Sequence, residues 1–97
     1  MSDSILNGAS TLWMVMAQFN GRTVIPVADV CRAFFLHLSE EKFLRKCLRG
    51  DLALPVVRIE KSQKSMRGIY VSDLAAYIDE RRAAAVRERD QLCGLDP

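Results

Sequence analysis

Four cationic side chains recur at a spacing that places them on one side of a helix. They are Lys42, Arg45, Lys46 and Arg49. Positions i, i+3, i+4 and i+7 form one helical face, and the opposite face is apolar, with Phe43, Leu44, Cys47 and Leu48. Such a helix can pack by its apolar side and present its cations to the major groove of DNA. A solvated basic face on an ordinary amphipathic helix is the alternative explanation.

A second basic segment, residues 61–67, joins two predicted strands. It contains three cations, three hydroxyl or amide side chains and no acid, in the order Lys61, Ser62, Gln63, Lys64, Ser65, Met66, Arg67. Lysine and arginine neutralise phosphates, while serine and glutamine hydrogen-bond phosphate oxygens or base edges. We therefore predict a wing that contacts the DNA backbone or minor groove, with a polar surface loop as the alternative.

The charge of the 97-residue chain is unevenly distributed. The total is only +2, from 14 basic and 12 acidic residues, yet residues 42–67 hold eight basic residues, including Arg58, against two acidic ones. Residues 42–67 therefore carry a net charge of +6, and the rest of the chain carries −4. If Glu40 and Glu41 are counted with the segment, its net charge is +4. We expect one face to approach DNA and the remaining surface to be free for a partner.

The surrounding pattern predicts the elements that position these cations. Ser39 is a natural N-cap for a helix that runs to about Arg49 and ends at Gly50. The preceding helix covers residues 27–35, and its predicted buried stripe comprises Val27, Val30, Cys31 and Phe34. Two helices joined by residues 36–38 outline a helix-turn-helix.

Strands and a last helix complete the predicted fold. Short strands are expected at residues 23–25, from Val56, and at residues 68–71. Ser72 is expected to cap a helix that reaches about Arg89 and buries Leu74, Tyr77 and Ile78. The result is an α+β chain, a small winged helix-turn-helix that is mostly α with a two- or three-stranded wing sheet. We divide it into a flexible extension (1–10), a DNA-binding domain (11–90) and a tail (91–97).

The apolar segment 11–19 is ambiguous. Its composition favours a helix, but the following Asn20-Gly21 is also a strong hairpin signal. Because the segment is apolar on all sides, we predict an oligomer interface, with burial in the chain's own core as an equally good explanation. The interface residues would be Leu12, Trp13, Val15, Met16 and Phe19. A homodimer on DNA is expected, through this segment or the last helix.

Other function classes are not supported. With 49% hydrophobic residues the chain is not a disordered tail, and no apolar run approaches a membrane span. Cys31, Cys47 and Cys93 lack zinc-ligand spacing and fit a reducing bacterial cytoplasm, the first two as core residues. No catalytic motif is present, so we predict no enzyme activity, no metal, no cofactor and no small-molecule ligand.

Several short segments resemble the pyocin activator (PrtN-like) family, and the similarity covers roughly residues 12–89. They are Met16–Gly21, Ile25–Val27, Glu41–Lys46, Leu54–Arg58, Ser62–Ser65 with Arg67-Gly68, and Asp73–Asp79. The resemblance implies a small bacterial transcription activator. It would bind upstream of bacteriocin (phage-tail-like pyocin) genes and act in the SOS response, after DNA damage relieves a repressor.

The expected partners are a double-stranded promoter element, a second copy of the chain and RNA polymerase. The predicted DNA-binding residues are Ser39, Lys42, Arg45, Lys46, Arg49, Arg58, Lys61, Ser62, Gln63, Lys64 and Arg67. If all eight cations met phosphates, the log–log salt slope of binding would be about −7 per subunit. The alternatives are an excisionase-like architectural DNA-binding protein and a phage-type regulator that acts through protein contacts at residues 12–19.

Overall fold

The computed structural model describes the backbone of residues 3–62 and 64–94, and the side chains of residues 10–62 and 64–94. Its elements are α1 (Asp3–Gln18), β1 (Val24–Pro26), α2 (Val27–Phe34), α3 (Glu40–Leu48), β2 (Val57–Arg58), β3 (Arg67–Tyr70) and α4 (Val71–Leu92). The three strands form one antiparallel sheet in the order β1-β3-β2. The α+β, winged-helix-like fold predicted from the sequence is confirmed.

Helix α1 resolves the ambiguity of residues 11–19 in favour of a helix. It begins at Asp3 and runs without a break to Gln18, so the described backbone of residues 3–10 is helical and not the loose start that we expected. No proline in this stretch prevents the helix from extending towards its first residues. Asn20 and Gly21 both have positive φ, and the Gly21 N–H donates to the Met16 carbonyl at 2.7 Å. The Asn-Gly pair therefore closes a helix and does not turn a hairpin.

The sheet is anchored at its middle strand. Ile25 and Ile69 face each other across β1 and β3 and are both fully buried. A Cβ on Gly68 would lie 2.6 Å from the Ile25 carbonyl oxygen, so the close approach of β1 requires glycine there. The strands differ by one residue from the prediction, with β2 starting at Val57 and β3 ending at Tyr70.

Strand β3 runs directly into α4. The predicted cap, Ser72, is wrong because the helix already begins at Val71, and the preceding Tyr70 makes no side-chain cap. The Val71 N–H instead donates to the Thr23 carbonyl at 2.8 Å, so a backbone oxygen satisfies this helix-start donor. Helix α4 packs along α1, and the Thr11 hydroxyl donates to the Asp79 carboxylate at 2.7 Å.

An aromatic cluster joins the helix pair to α4. Phe35 lies 5.0 Å from Phe43 and 6.1 Å from Tyr77 between ring centroids. Phe34, predicted for the buried stripe of α2, is 39% exposed, and Phe35 is buried in its place. Helix α2 ends at Phe34, and the non-helical backbone of the next residue places the Phe35 ring among α3 and α4.

The two thiols predicted to be core residues differ in burial. Cys31 is buried in the core, Cys47 is half-buried against it, and Cys93 is exposed. Burial raises the pKa of the Cys31 thiol, with a smaller contribution from the nearby Glu40 carboxylate. Burial likewise raises the pKa of Cys47. Both groups are therefore held in the thiol form near neutral pH.

Candidate nucleic-acid interface

Helix α3 starts as the sequence predicts. The Lys42 N–H donates to the Ser39 hydroxyl at 3.2 Å, and Glu40 and Glu41 occupy the first turn. This bond satisfies one of the free N–H groups at the helix start. Ser39, also predicted to bind DNA, is therefore engaged in capping through its hydroxyl oxygen.

The cationic face of α3 (Lys42, Arg45, Lys46 and Arg49) lies mainly in solvent. Lys46 is half-buried and the other three are exposed. On the opposite side Phe43 is fully buried, and Leu44 and Cys47 pack against the core. Leu48 is the exception: predicted for the apolar face, it is 73% exposed at the last residue of the helix.

Two acids engage the arginines of this face. Arg45 lies 3.3 Å from the Glu41 carboxylate one turn earlier, and Arg49 lies 3.0 Å from Asp51. All four side chains are largely exposed, so each pair contributes little free energy and its arginine can exchange partners readily. Lys42 and Lys46 form no ion pair with any described residue. The i, i+4 spacing of Glu41 and Arg45 is a sequence signal for the first of these pairs, and our sequence prediction did not use it.

The basic hairpin (residues 57–70) places like charges opposite one another. Arg58 and Arg67 are Cα partners on β2 and β3. Arg58 is exposed and Arg67 is half-buried, and neither pairs with an acid among the described residues. Like charges at facing positions destabilise a sheet, so an anion bound between these arginines would relieve their repulsion.

Two serines shape the loop at the end of this hairpin. The Glu60 N–H donates to the Ser65 hydroxyl at 2.8 Å, and the Lys64 N–H donates to the Ser62 hydroxyl at 3.1 Å. Lys61 and Lys64 are exposed and form no ion pair with a described residue. Ser62, predicted to bind DNA, thus also holds the loop, and Gln63 lies outside the described residues.

Helix α3 and the basic hairpin border a common cleft. Leu44 from α3 and Met66 and Arg67 from the hairpin line a cavity of about 370 Å³, together with Glu40 and the start of α2. The two basic segments of the sequence therefore border one cleft, but the α3 residues that line it lie on the side of the helix opposite the cationic face. The residue pattern of either segment alone does not predict that the two segments share a cleft.

The residues of the predicted oligomer interface lie in two different environments, the core and the surface. Val15 and Phe19 are buried in the chain's own core, so assigning them to an interface between copies is wrong. Leu12 and Met16 are half-buried against the same core. Trp13 remains 70% exposed, and the neighbouring Met14, which our prediction omitted, is equally exposed.

A helix pair followed by a β-hairpin, with a third strand completing the sheet, defines a small winged-helix-like protein. The family model described as pyocin activator protein PrtN matches residues 11–85. The chain belongs to this family, as its short motifs predicted. Neither the search of curated proteins nor that of solved structures found a significant match.

Family membership supports a role as a regulator of pyocin genes, and the family is one of regulatory proteins and not of enzymes. Among the residues that the structure describes, no helix is both long enough and apolar enough to span a membrane.

Proposed function

We propose that this protein is a sequence-specific DNA-binding activator of pyocin genes. The observation that carries the proposal is the shared cleft between α3 and the basic hairpin. Through this cleft the Glu40 and Leu44 side of α3 lies next to the basic hairpin, while the cationic face of α3 points to solvent on the other side of the helix. The four hairpin cations are not neutralised by any described acid. In this arrangement α3 enters the major groove and the hairpin binds phosphates or the minor groove.

The two basic elements have different roles in this proposal. Arginine forms a two-pronged contact with guanine O6 and N7, so Arg45 and Arg49 are the base-reading side chains once they leave their carboxylates. Lys61 and Lys64 bind phosphates, which fixes position without reading sequence. Lys42 and Lys46 flank the groove and add to the phosphate contacts.

Fluorescence anisotropy with the full chain tests these roles. The probe is a labelled duplex selected by the protein from a randomised library. Arg45→Ala should change the preferred sequence, while Lys64→Ala should weaken all duplexes by a similar factor. Arg82→Ala, an exposed cation on α4, is the matched control. Failure of the unmodified chain to bind any duplex would contradict the proposal, and the opposite pattern would exchange the roles of helix and hairpin.

Footprinting separates an activator from the other DNA-binding role. A protected site directly upstream of phage-tail genes, together with increased transcription from that promoter in a reconstituted reaction, is expected. Protection confined to recombination sites would instead support an excisionase-like architectural protein.

A second surface supports dimer formation or contact with a partner protein. Trp13 and Met14 are adjacent, and each is 70% exposed, whereas aromatic residues and methionine are enriched at protein interfaces. We propose that this pair joins two copies on adjacent half-sites. RNA polymerase is the alternative partner, and crosslinking from position 13 in the transcription reaction distinguishes the two.

A further inference from the structure

Two large apolar side chains are exposed next to each other on the basic hairpin. Ile59 is 60% exposed and Met66 is 44% exposed. The Ile59 N–H donates to the Met66 carbonyl at 3.2 Å, so the two residues continue the strand pairing one step beyond Arg58 and Arg67. We refer to Ile59 and Met66 as the apolar pair.

Cations border the apolar pair on both sides along the chain. Arg58 and Arg67 come one residue closer to the sheet, and Lys61 and Lys64 lie in the loop beyond. None of the four forms an ion pair with a described residue. Successive side chains of paired strands point to opposite faces, so Arg58 and Arg67 project from the other face of the hairpin. A surface that covers the apolar pair therefore meets the exposed Glu60 next to Ile59 and must accept the charges of Lys61 and Lys64. An apolar protein surface would have to desolvate them without compensation.

Duplex DNA meets both requirements. The walls of its minor groove are formed by sugars, its base steps are apolar, and phosphates line both edges of a groove about 6 Å wide. Isoleucine and methionine are among the side chains that minor-groove proteins insert between base pairs. Among the described residues of the hairpin, the Glu60 and Lys64 N–H groups already donate to the Ser65 and Ser62 hydroxyls.

We infer that the apolar pair enters the minor groove, partly unstacks one base step and kinks the duplex. The inference rests on the DNA binding proposed above and adds its mode. Pyrimidine–purine steps unstack most easily, so such a step is expected where the hairpin contacts the site. Part of the sequence preference would then come from DNA deformability, without a hydrogen bond to a base.

The first test measures the DNA bend directly. The probe is a 30-bp duplex, selected from a randomised library by the full chain and labelled at both ends for energy transfer. The unmodified protein should bend it by an angle of about 20–90°. The double variant Ile59→Ser/Met66→Ser should remove at least half of the bend and weaken binding about tenfold, the loss expected for minor-groove burial. Leu92→Ser, at a leucine of α4 that is even more exposed, is the control and should change neither quantity.

The second test uses the same duplex with one mismatched base pair at the contacted step. Since the mismatch lowers the cost of unstacking, the unmodified protein should bind it about tenfold more tightly, and the double variant should gain nothing. Urea unfolding of the double variant measures its free energy of unfolding and so checks that the two substitutions do not unfold the domain.

Several outcomes would overturn the inference. One is a straight duplex under the unmodified protein, and another is an unchanged bend with the double variant. A loss of self-association by the double variant in light scattering, without a change in bend, would assign the apolar pair to a protein contact. If the unmodified protein binds no duplex, the proposed function fails together with the inference. Tight binding without a bend overturns the inference alone.

Discussion

The guanidinium of Arg45 lies 3.3 Å from the carboxylate of Glu41, one turn earlier on α3. Arg45, which we propose reads guanine, thus has a competing anion in the free protein. Replacing this carboxylate by DNA costs little free energy, because the side chains of Arg45 and Glu41 are both largely exposed. This exchange nevertheless contributes to the affinity of the proposed DNA complex.

Removing this competitor should strengthen DNA binding. Glu41→Gln frees Arg45 and deletes one negative charge near the phosphates, so the Kd measured by anisotropy at low salt should fall about two- to fivefold. Glu88→Gln makes the same chemical change at an exposed site on α4 and should have a smaller effect. Equal gains from both variants would show that only net charge matters.

The salt dependence of binding should reflect the ion pairs of the free protein. Six of the eight cations of residues 42–67 are unpaired among the described residues, since Arg45 and Arg49 have partners. If those six meet phosphates, the log–log slope should be about −5 per subunit. A slope near −7 would mean that both arginines also bind phosphates, and a slope near zero would contradict binding through cations.

Neighbouring positions of α1 should respond differently to substitution. Trp13→Ser removes an exposed side chain and should change the free energy of unfolding by less than about 0.5 kcal/mol, while lowering the dimer fraction in light scattering. Val15→Ala creates a cavity in the core and should cost about 2 kcal/mol. A large loss of stability in the Trp13→Ser variant would show that Trp13 belongs to the core. An unchanged dimer fraction would show that Trp13 does not belong to the interface.

Two apolar residues of α3 should differ just as strongly. Phe43 is fully buried, and its replacement by alanine should cost about 3–5 kcal/mol in urea unfolding. Leu48→Ala should stay within about 0.5 kcal/mol, since Leu48 is exposed. Phe43→Leu, which leaves a smaller cavity, should show an intermediate loss and retain DNA binding. Equal costs for the two alanine variants would contradict the orientation of α3.

Thiol labelling should follow burial. The pKa of Cys31 is raised mainly by burial, so little reactive thiolate is present at pH 8 and access is blocked. Ellman's reagent should therefore modify the exposed Cys93 first, with Cys47 slower and Cys31 slowest. Raising the pH should accelerate all three, and urea should equalise them. Rapid labelling of Cys31 in the folded protein would contradict the packing of α2.

Periodicity and capping in the sequence were sufficient to predict the helix pair. Val27, Val30 and Cys31 recur at helical spacing and are buried as expected, and Ser39 caps α3. The spacing of apolar residues and the N-cap are local features, because they depend on neighbours within one or two helical turns. The amino-acid sequence is therefore sufficient to predict them. The cationic face of α3 follows from the same helical geometry.

Tertiary packing decided what local patterns left open. Phe34 and Phe35 are adjacent aromatics, and only the end of α2 determines that Phe35 enters the core. Val15 and Trp13 belong to one apolar segment, and their separation into core and surface depends on α1 packing beside α4.

For the charges of the site, too, the sequence determines one part and the tertiary structure another. The chain order determined that residues 42–67 are basic, because charge is a property of the residues themselves. Which cations are free depends on distances between side chains, as with Arg49 and Asp51. That Leu44 and Arg67 line one cleft depends on how the sheet folds back towards α3. Long-range contacts of this kind arise from the packing of the whole core and not from the sequence of any one segment.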